Sequence, residues 1–325
     1  MKIVHLVLSN VYAGIEQHVN ELVLNLEQES KTDVIIICNK EIASRFDGNN
    51  IQVINNFSRR SPIGLIKLLL KIHKIKPDII HTHGSKTTSI INVIKKFLPI
   101  KHVATAHGIK NKTSVYKKAT KLITVSQMVK ESIEASSVVI NNWYPPIVQD
   151  KKSLNNDYVL AVGRLEKVKG FDLLIQSWIN IKDNLIIIGS GKEYDSLINL
   201  ISQHNLDTKI QIIDEMSQED LVDYYKNASM IVISSRSEGG PRVALEALYQ
   251  EIPVISTNVG HMAEILPKEL LAEPDNLESL KDLIEAYVGN ENYSQDSIYE
   301  YIKQEFSGIS QSKKILNIYR ELFVS

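Results

Sequence analysis

The fold class this sequence predicts is α/β: two doubly wound domains in tandem. Three observations predict it. Short β-branched apolar runs alternate with amphipathic helical patterns along most of the chain, the signature of parallel sheets covered by helices. One break rich in proline, asparagine and charge, "NNWYPPIVQDKKSLNND" at 141–157, interrupts that alternation and reads as a linker. The length, 325 residues, suits about two domains rather than one.

Each element can be argued in order. In the first half the strands read as "KIVHLVL", "DVIIIC", "IQVI", "DIIHTH", "KHVATAH", "KLITVS" and "SVVI". The first is a poor signal peptide, because its apolar run is short and holds His5. Between strands, "SPIGLIKLLLKIHKIKPD" at 61–78 predicts a helix opening at Pro62. Leu65, Leu68, Leu69 and Ile72 give it an apolar face, and Lys67, Lys71 and Lys74 a basic stripe. In the second half "YVLAVG", "NLIIIG", "KIQII", "SMIVIS" and "IPVIS" read as strands, with helices from about 170, 192 and 217. "PRVALEALYQ" reads as a helix with Pro241 at its first position, and the tail after 276 reads as helices only. The predicted domains are 1–145 and 157–325, joined by a linker at 146–156.

Charge divides the same way. Residues 1–150 hold 20 Lys and Arg against 11 Asp and Glu, and the remaining residues hold 17 against 27. Between 51 and 130 the only acidic residue is Asp78. A basic half expects an anionic partner. The single cysteine, Cys38, excludes a disulfide framework and sits inside a strand pattern, as a core residue would. No uncharged apolar run reaches membrane-spanning length. These features together predict a cytoplasmic protein.

Several chemistries are absent. "GSGKEY" at 189–194 has Gly189 and Gly191 but Tyr194 where a dinucleotide fingerprint needs its third glycine. Ile186 stands where a Walker loop needs its first. There is no Asp-x-Asp pair for a divalent metal on a diphosphate, and no Gly-x-Ser-x-Gly elbow. His81 and His83 alternate on one strand with no third ligand near them in sequence, so they read as ordinary strand residues rather than metal ligands.

What remains is a set of loops at the carboxyl ends of predicted strands, where open α/β sheets bind ligands. "SSRSEGGPRVALEALYQEIPVIS" at 234–256 is the most informative. Glu238, Gly239 and Gly240 stand in the loop, and the helix start offers unpaired N–H groups suited to phosphate. Glu246 follows about one and a half turns later. "GRLEKVKG" at 163–170 brings Arg164, Lys167 and Lys169 to a neighbouring strand end. Two fixed cations and a helix start suit a diphosphate.

These residues resemble the retaining glycosyltransferases of the large family-four group. In the C-terminal half the resemblance rests on "GRLEKVKGFDLLI", "IIGSGKE" and "SEGGPRVALEALYQEIPVISTNVGHMAEIL", in the family's order. In the N-terminal half it rests on "AGIEQHVNELVLNL", "KPDIIHTHGSK", "TAHG" and "LITVS". It implies the GT-B fold, two Rossmann-like domains facing across a cleft, with the last helix, about 308–323, returning to the N-terminal domain. It further implies that Arg164 and Lys169 hold the donor diphosphate, Glu246 the ribose, and Glu238 the sugar hydroxyls. Gly239, Gly240, Pro241 and Gly191 would line the donor. Gly14 would leave room for phosphate or acceptor, and His107 would touch the sugar. The expected partners are a nucleotide-sugar donor, a glycan or lipid-linked acceptor and an anionic membrane surface, with no nucleic acid, no metal and no cofactor. Ala13 in place of a second glycine, and "IIDEMSQEDL" without the usual glycine, depart from the family pattern. A nucleotide-sugar 2-epimerase and a non-catalytic glycan-binding subunit are the competing readings.

Overall fold

The computed structural model describes residues 1–28, 32–109, 113–144, 158–290 and 294–324. The expected linker at 146–156 lies outside the described residues. The described chain forms two compact units: Met1–Trp143 with Gly308–Ser325, and Tyr144–Ser307.

Unit 1 is a seven-stranded parallel sheet. Its strands are β1 (Lys2–Val7), β2 (Asp33–Asn39), β3 (Ile51–Ile54), β4 (Ile79–His83), β5 (Lys101–Ala106), β6 (Lys121–Thr124) and β7 (Val138–Val139). The order is β3-β2-β1-β4-β5-β6-β7, so the winding reverses between β1 and β4. Helices α1 (Gly14–Glu27), α2 (Pro62–Ile75), α3 (Gly84–Ile94) and α4 (Gln127–Glu131) belong to it. Ser61 caps α2 by accepting from the Gly64 N–H, and Lys76 ends it in the left-handed region at φ 52°.

Unit 2 is a six-stranded parallel sheet of β8 (Tyr158–Val162), β9 (Leu185–Ile188), β10 (Ile210–Ile213), β11 (Ala228–Ile233), β12 (Val254–Thr257) and β13 (Leu271–Ala272). Its order, β10-β9-β8-β11-β12-β13, reverses between β8 and β11. The helices are α5 (Phe171–Ser177), α6 (Tyr194–Gln203), α7 (Gln218–Asn227), α8 (Arg242–Tyr249), α9 (Met262–Ile265), α10 (Leu277–Tyr287) and α11 (Asp296–Glu305). The two-residue β13 was not legible, because so short an apolar step carries no periodicity. Pro241 is the cap residue of α8, one position before the helix, at φ −66° and ψ 113°.

The last helix, α12 (Gly308–Val324), completes unit 1. Ile315, Leu316, Ile318 and Tyr319 join the core formed by β1, β2 and α1. Asn25 of α1 donates to Ser312 Oγ at 3.1 Å. Each buried branched side chain of this kind contributes about 1.5–3 kcal/mol of transfer free energy. That burial holds a C-terminal helix onto a sheet made by the N-terminal half.

The interior of unit 1 is unusual in holding imidazoles. His5, His81 and His102 are fully buried on β1, β4 and β5, and His83 is nearly so. His5 and His81 are direct partners in the β1–β4 register. The expectation of an isolated His81–His83 pair is therefore corrected: the long-range strand pairing supplies neighbours that the local sequence does not show. Both nitrogens of His81 are bonded, Nδ1 with the Tyr319 hydroxyl and Nε2 with Thr105 Oγ1 at 2.7 Å. Burial lowers His5 and His102 to about 3, and holds His81 and His83 well below the ordinary imidazole value. Cys38 is buried as expected, with its thiol pushed up to about 11.

The lowered histidine values set a pH dependence. Below about pH 6.5 the unfolded chain binds protons that the folded interior refuses, so stability falls on acidification towards pH 3. Each such group contributes a slope of about 1.4 kcal/mol per pH unit within that window. Denaturant midpoints should therefore fall between pH 7 and pH 5, and His5→Phe should flatten the dependence. Equal midpoints at both pH values in the unaltered chain would contradict this assignment.

Candidate active site

The reversal between β8 and β11 places two loops side by side in unit 2. One follows β8 and carries Gly163–Gly170. The other follows β11 and carries Ser234–Pro241. The first makes a short 3₁₀ turn at Lys167–Lys169, closed by Gly170 at φ 67°. A Cβ at Gly170 would lie 2.1 Å from the Ser234 carbonyl oxygen, so only glycine permits this approach. Ser234 Oγ also donates to the Lys169 carbonyl at 3.0 Å.

The approach brings Lys169 and Glu238 together. Lys169 Nζ donates to Glu238 Oε1 at 2.5 Å, and both side chains are less than one-fifth exposed. Ser235 Oγ donates to the same carboxylate oxygen at 2.9 Å. Gly260 at φ 60° packs against the glycine pair, where an added Cβ would lie 2.8 Å from Gly240 Cα. Arg164 does not join the cluster. Its side chain is 63% exposed and pairs with Glu166 at 2.8 Å. An exposed pair of this kind is worth well under about 1 kcal/mol, so little opposes its re-aiming.

Glu246 lies buried on α8 and accepts from the Tyr225 hydroxyl at 2.8 Å. Burial, then the Glu246 carboxylate beside it, holds the Tyr225 phenol well above its usual value. Tyr225 thus remains a donor and fixes one oxygen of Glu246. Gly191 is required by packing, since a Cβ there would lie 2.4 Å from the Leu165 carbonyl oxygen. The loop after β9 docks on the β8 loop, with Leu165 N–H donating to the Ser190 carbonyl and Glu193 N–H to that of Leu165.

His107 and Gly14 belong to unit 1, at the carboxyl ends of β5 and β1. A Cβ at Gly14 would meet nothing within 4 Å, so space is open there. Glu16 closes the start of α1 by accepting from the Ala13 N–H at 3.0 Å and from Ser9 Oγ at 2.5 Å. His83 Nδ1 and His107 Nε2 lie 3.1 Å apart. Imidazole nitrogens of His5, His81 and His83, and of His18, His83 and His107, approach within 4.8 Å, near enough to raise metal ligation. The first set is poorly suited, because both nitrogens of His81 already bond to hydroxyls.

Two functional side chains escaped the sequence reading. One is Tyr225. The other is Arg236, 16% exposed, which spans the two loops of unit 2. Its Nη1 and Nη2 grip Asp172 at 2.7 and 2.9 Å, and its Nε donates to Asp275 at 2.5 Å. Nη1 also donates to the Lys167 carbonyl at 2.7 Å, and the Arg236 N–H to that of Val168 at 2.8 Å. Burial pushes the Asp172 carboxyl up, but the bonds and charge of Arg236 outweigh it and hold it below its usual value. The arginine stands inside the motif that drew attention, yet its carboxylate partners lie far off in sequence.

Comparison with known proteins follows the same division. The family model described as glycosyl transferases group 1 matches residues 147–305, and that described as glycosyltransferase family 4 matches residues 12–142. The chain belongs to the family-four glycosyltransferases. It is 32% identical over 238 residues to an uncharacterized glycosyltransferase of Methanocaldococcus jannaschii, covering 66% of each chain. It is 26% identical to the capsular polysaccharide biosynthesis glycosyltransferase CapM of Staphylococcus aureus, covering 70% of this chain and 72% of that one. Across three of the curated relatives the chain spans 66%, 47% and 46% of the relative's own length. Among solved structures, HepE of Anabaena in complex with UDP and glucose superposes with a TM-score of 0.86 at 17% identity, covering 99% of this chain and 100% of that one. This likeness supports the GT-B fold.

The geometry makes Arg236 a testable part of the family-four site. Arg236→Lys keeps the charge but loses the planar two-pronged grip on Asp172, a loss of about 1.5–3 kcal/mol. The expected result is a lower melting temperature and a fall in turnover larger than any change in donor KM. In a Lys169→Ala background the same change should cost little further turnover, because Arg236 acts by holding the turn that carries Lys169. A double-mutant cycle measures this, and full additivity would break the link.

Proposed function

We propose that this glycosyltransferase is a retaining enzyme that moves a sugar from a nucleoside-diphosphate sugar to an acceptor hydroxyl. The observation that carries the proposal is the Lys169–Glu238 pair at the β8–β11 reversal, beside the start of α8. In this reading a donor diphosphate takes Glu238's place as the partner of Lys169. Arg164 swings from Glu166 to join it, and N–H groups at the start of α8 add hydrogen bonds. Glu238, released, accepts from hydroxyls of the sugar, while Glu246 accepts from the ribose. Gly239, Gly240, Pro241 and Gly191 shape the backbone against the donor. His107 and Gly14 contribute from unit 1.

In the reaction the anomeric C–O bond to the leaving phosphate breaks as the acceptor oxygen bonds to the same face. The acceptor proton passes to a phosphate oxygen. Charge grows on the diphosphate during this step, so cations that meet it favour the transition state over the ground state. These fixed cations can serve without a divalent metal. HepE binds UDP and UDP-glucose, which supports a uridine nucleotide as the first donor to try. The similarity to CapM supports surface polysaccharide synthesis among the surface polysaccharide, lipopolysaccharide and glycolipid routes expected for this chain.

On the acceptor side we infer contact with an anionic membrane surface, which the exposed residues of α2 support. Among the described residues no helix is long and apolar enough to cross a membrane. On α2, Lys67 and Lys74 are exposed, while Lys71 is half-buried and donates to Gln52 Oε1 at 3.2 Å, so the basic stripe is two lysines rather than three. Ile63, Ile66 and Leu70 of the same helix are more than half exposed, as is Phe97 just beyond α3. Exposed apolar residues interleaved with lysine and arginine suit adsorption to anionic lipid. Lys110 and Lys112, part of the expected basic region, lie outside the described residues.

Glu246→Ala should weaken nucleotide binding with a smaller effect on turnover, since ribose is held throughout the reaction. Lys169→Ala and Arg164→Ala should lower turnover more than donor affinity, by about 1.5–3 kcal/mol each. Steady-state kinetics with UDP-sugars decide this, run with and without excess EDTA. Unimpaired turnover in both cation variants would sink the assignment, and activity abolished by EDTA and restored by Mn²⁺ would contradict metal independence. An epimerised sugar beside free nucleoside diphosphate would favour the epimerase.

Vesicle sedimentation tests the membrane surface. Binding is expected to anionic and not to neutral vesicles, and to fade at high salt. Changing Lys67 and Lys74 to Gln and Ile66 and Leu70 to Ser should abolish it while nucleotide binding persists. Binding to neither vesicle type, or equal binding to both, would overturn the assignment of an anionic-lipid surface.

A further inference from the structure

Three histidines of unit 1 form a hydrogen-bonded file. His107 Nε2 lies 3.1 Å from His83 Nδ1, and His83 Nε2 lies 3.1 Å from His5 Nδ1. The file starts at the half-buried His107 just beyond β5 and ends in the core at His5, which is fully buried. Among the described residues, His5 Nε2 has no hydrogen-bond partner. His18 packs edge-on against His107 with ring centroids 4.8 Å apart. His81 lies 4.3 Å from the His83 ring, but its nitrogens are engaged by Tyr319 and Thr105.

Burial keeps His5 and His83 neutral at ordinary pH. A neutral imidazole has one donor nitrogen and one acceptor nitrogen. Two consecutive bonds therefore order all three rings in one direction. If the donors ran inward, His5 Nε2 would be an N–H buried without an acceptor, the rarest kind of polar defect in folded proteins. If they run outward, His5 Nδ1 donates to His83 Nε2 and His83 Nδ1 donates to His107 Nε2. Only an acceptor lone pair is then left over at the buried end. The file cannot act as a proton wire, because it ends at a nitrogen with nothing to pass the proton to.

We propose that His5 and His83 are positioning residues that lock the tautomer of His107, making its Nε2 an acceptor and its Nδ1 an N–H donor. His107 then carries its proton on Nδ1, and its Nε2, engaged by His83, is no basic nitrogen for an acceptor hydroxyl's proton. The inference rests on the glycosyl-transfer reading only for what His107 does; the tautomer itself follows from the file. It agrees with the proposed route, in which the acceptor's proton goes to the leaving phosphate rather than to this histidine.

The test is nitrogen NMR on the intact chain with ¹⁵N-labelled imidazoles near neutral pH, using long-range proton–nitrogen correlations assigned by single substitutions. The expected result is a protonated Nδ1 and an unprotonated Nε2 at both His107 and His83. A protonated Nε2 at His107, or rapid averaging between the two forms, overturns the proposal. A second arm replaces His5 by Phe, which keeps ring volume but removes the first donor. His107 should then become a mixture of tautomers. Turnover should fall by about tenfold, the factor of one ordinary hydrogen bond, at unchanged donor KM. His5→Gln, which restores a side-chain N–H, should recover part of it. An unchanged His107 spectrum and full turnover in His5→Phe also overturn the lock. If no UDP-sugar is turned over by the unaltered chain, the functional reading fails while the spectrum still decides the tautomer.

Discussion

The contact between the Gly170 backbone and the Ser234 carbonyl is the constraint on which the rest of unit 2 depends. It exists because β8 and β11 are neighbours at the point where the winding reverses, so their following loops must share one space. A side chain at 170 would separate them. With the loops in contact, Arg236 can reach Asp172 and two backbone carbonyl groups of the opposing segment, directly or through its own N–H, and Asp275 beyond β13. Lys169 then has nowhere to go but towards Glu238. A flexible lysine has been given one position by the glycine that follows it in the chain and an arginine on the other loop.

That arrangement bears on the charge problem of the site. A largely buried ion pair gains little net stability, because desolvation cancels much of the attraction. Its value here is geometric. Lys169 and Glu238 each fix the position of the other, and in the proposed reaction donor binding would exchange one anion for another rather than move an unpaired charge. The exposed Arg164–Glu166 pair works the opposite way, as a cation loosely held and free to turn. Tyr225 serves Glu246 as Lys169 serves Glu238, but through a neutral bond in a buried place.

Most of the fold was legible because it is written in local periodicity. The strand runs and the turn-rich break separate two sheets, and each parallel strand of four or more residues was visible as a β-branched run. The positions of Lys169 and Glu238 in loops at strand ends, and of Glu246 on the helix that follows, were legible for a second reason: they are set by where each strand run stops and the next helix begins. What was not legible needed tertiary pairing. Arg236 lies in the quoted motif, but its meaning depends on Asp172 and Asp275, which sequence distance hides. His5 and His83 become neighbours only through the β1–β4 register. Pro241 was read one position too far into α8 because proline suits either the cap or the first turn.

The two units handle polar groups in opposite ways, and the difference follows from their surfaces. Unit 2 belongs to the acidic half of the chain, and the cations of its two facing loops, Arg164, Lys169 and Arg236, are each matched to a carboxylate. Unit 1 is built from the basic half and places imidazoles on its central strands. A cation buried under that surface would meet repulsion as well as desolvation. Neutral imidazoles avoid both costs, provided each N–H finds an acceptor. Tyr319 and Thr105 meet this need for His81, and the file to His107 meets it for His5 and His83. The C-terminal helix α12 is therefore more than an apolar cover. It carries the Tyr319 hydroxyl to the side of His81, and thus completes a polar interior that the first 143 residues leave unfinished.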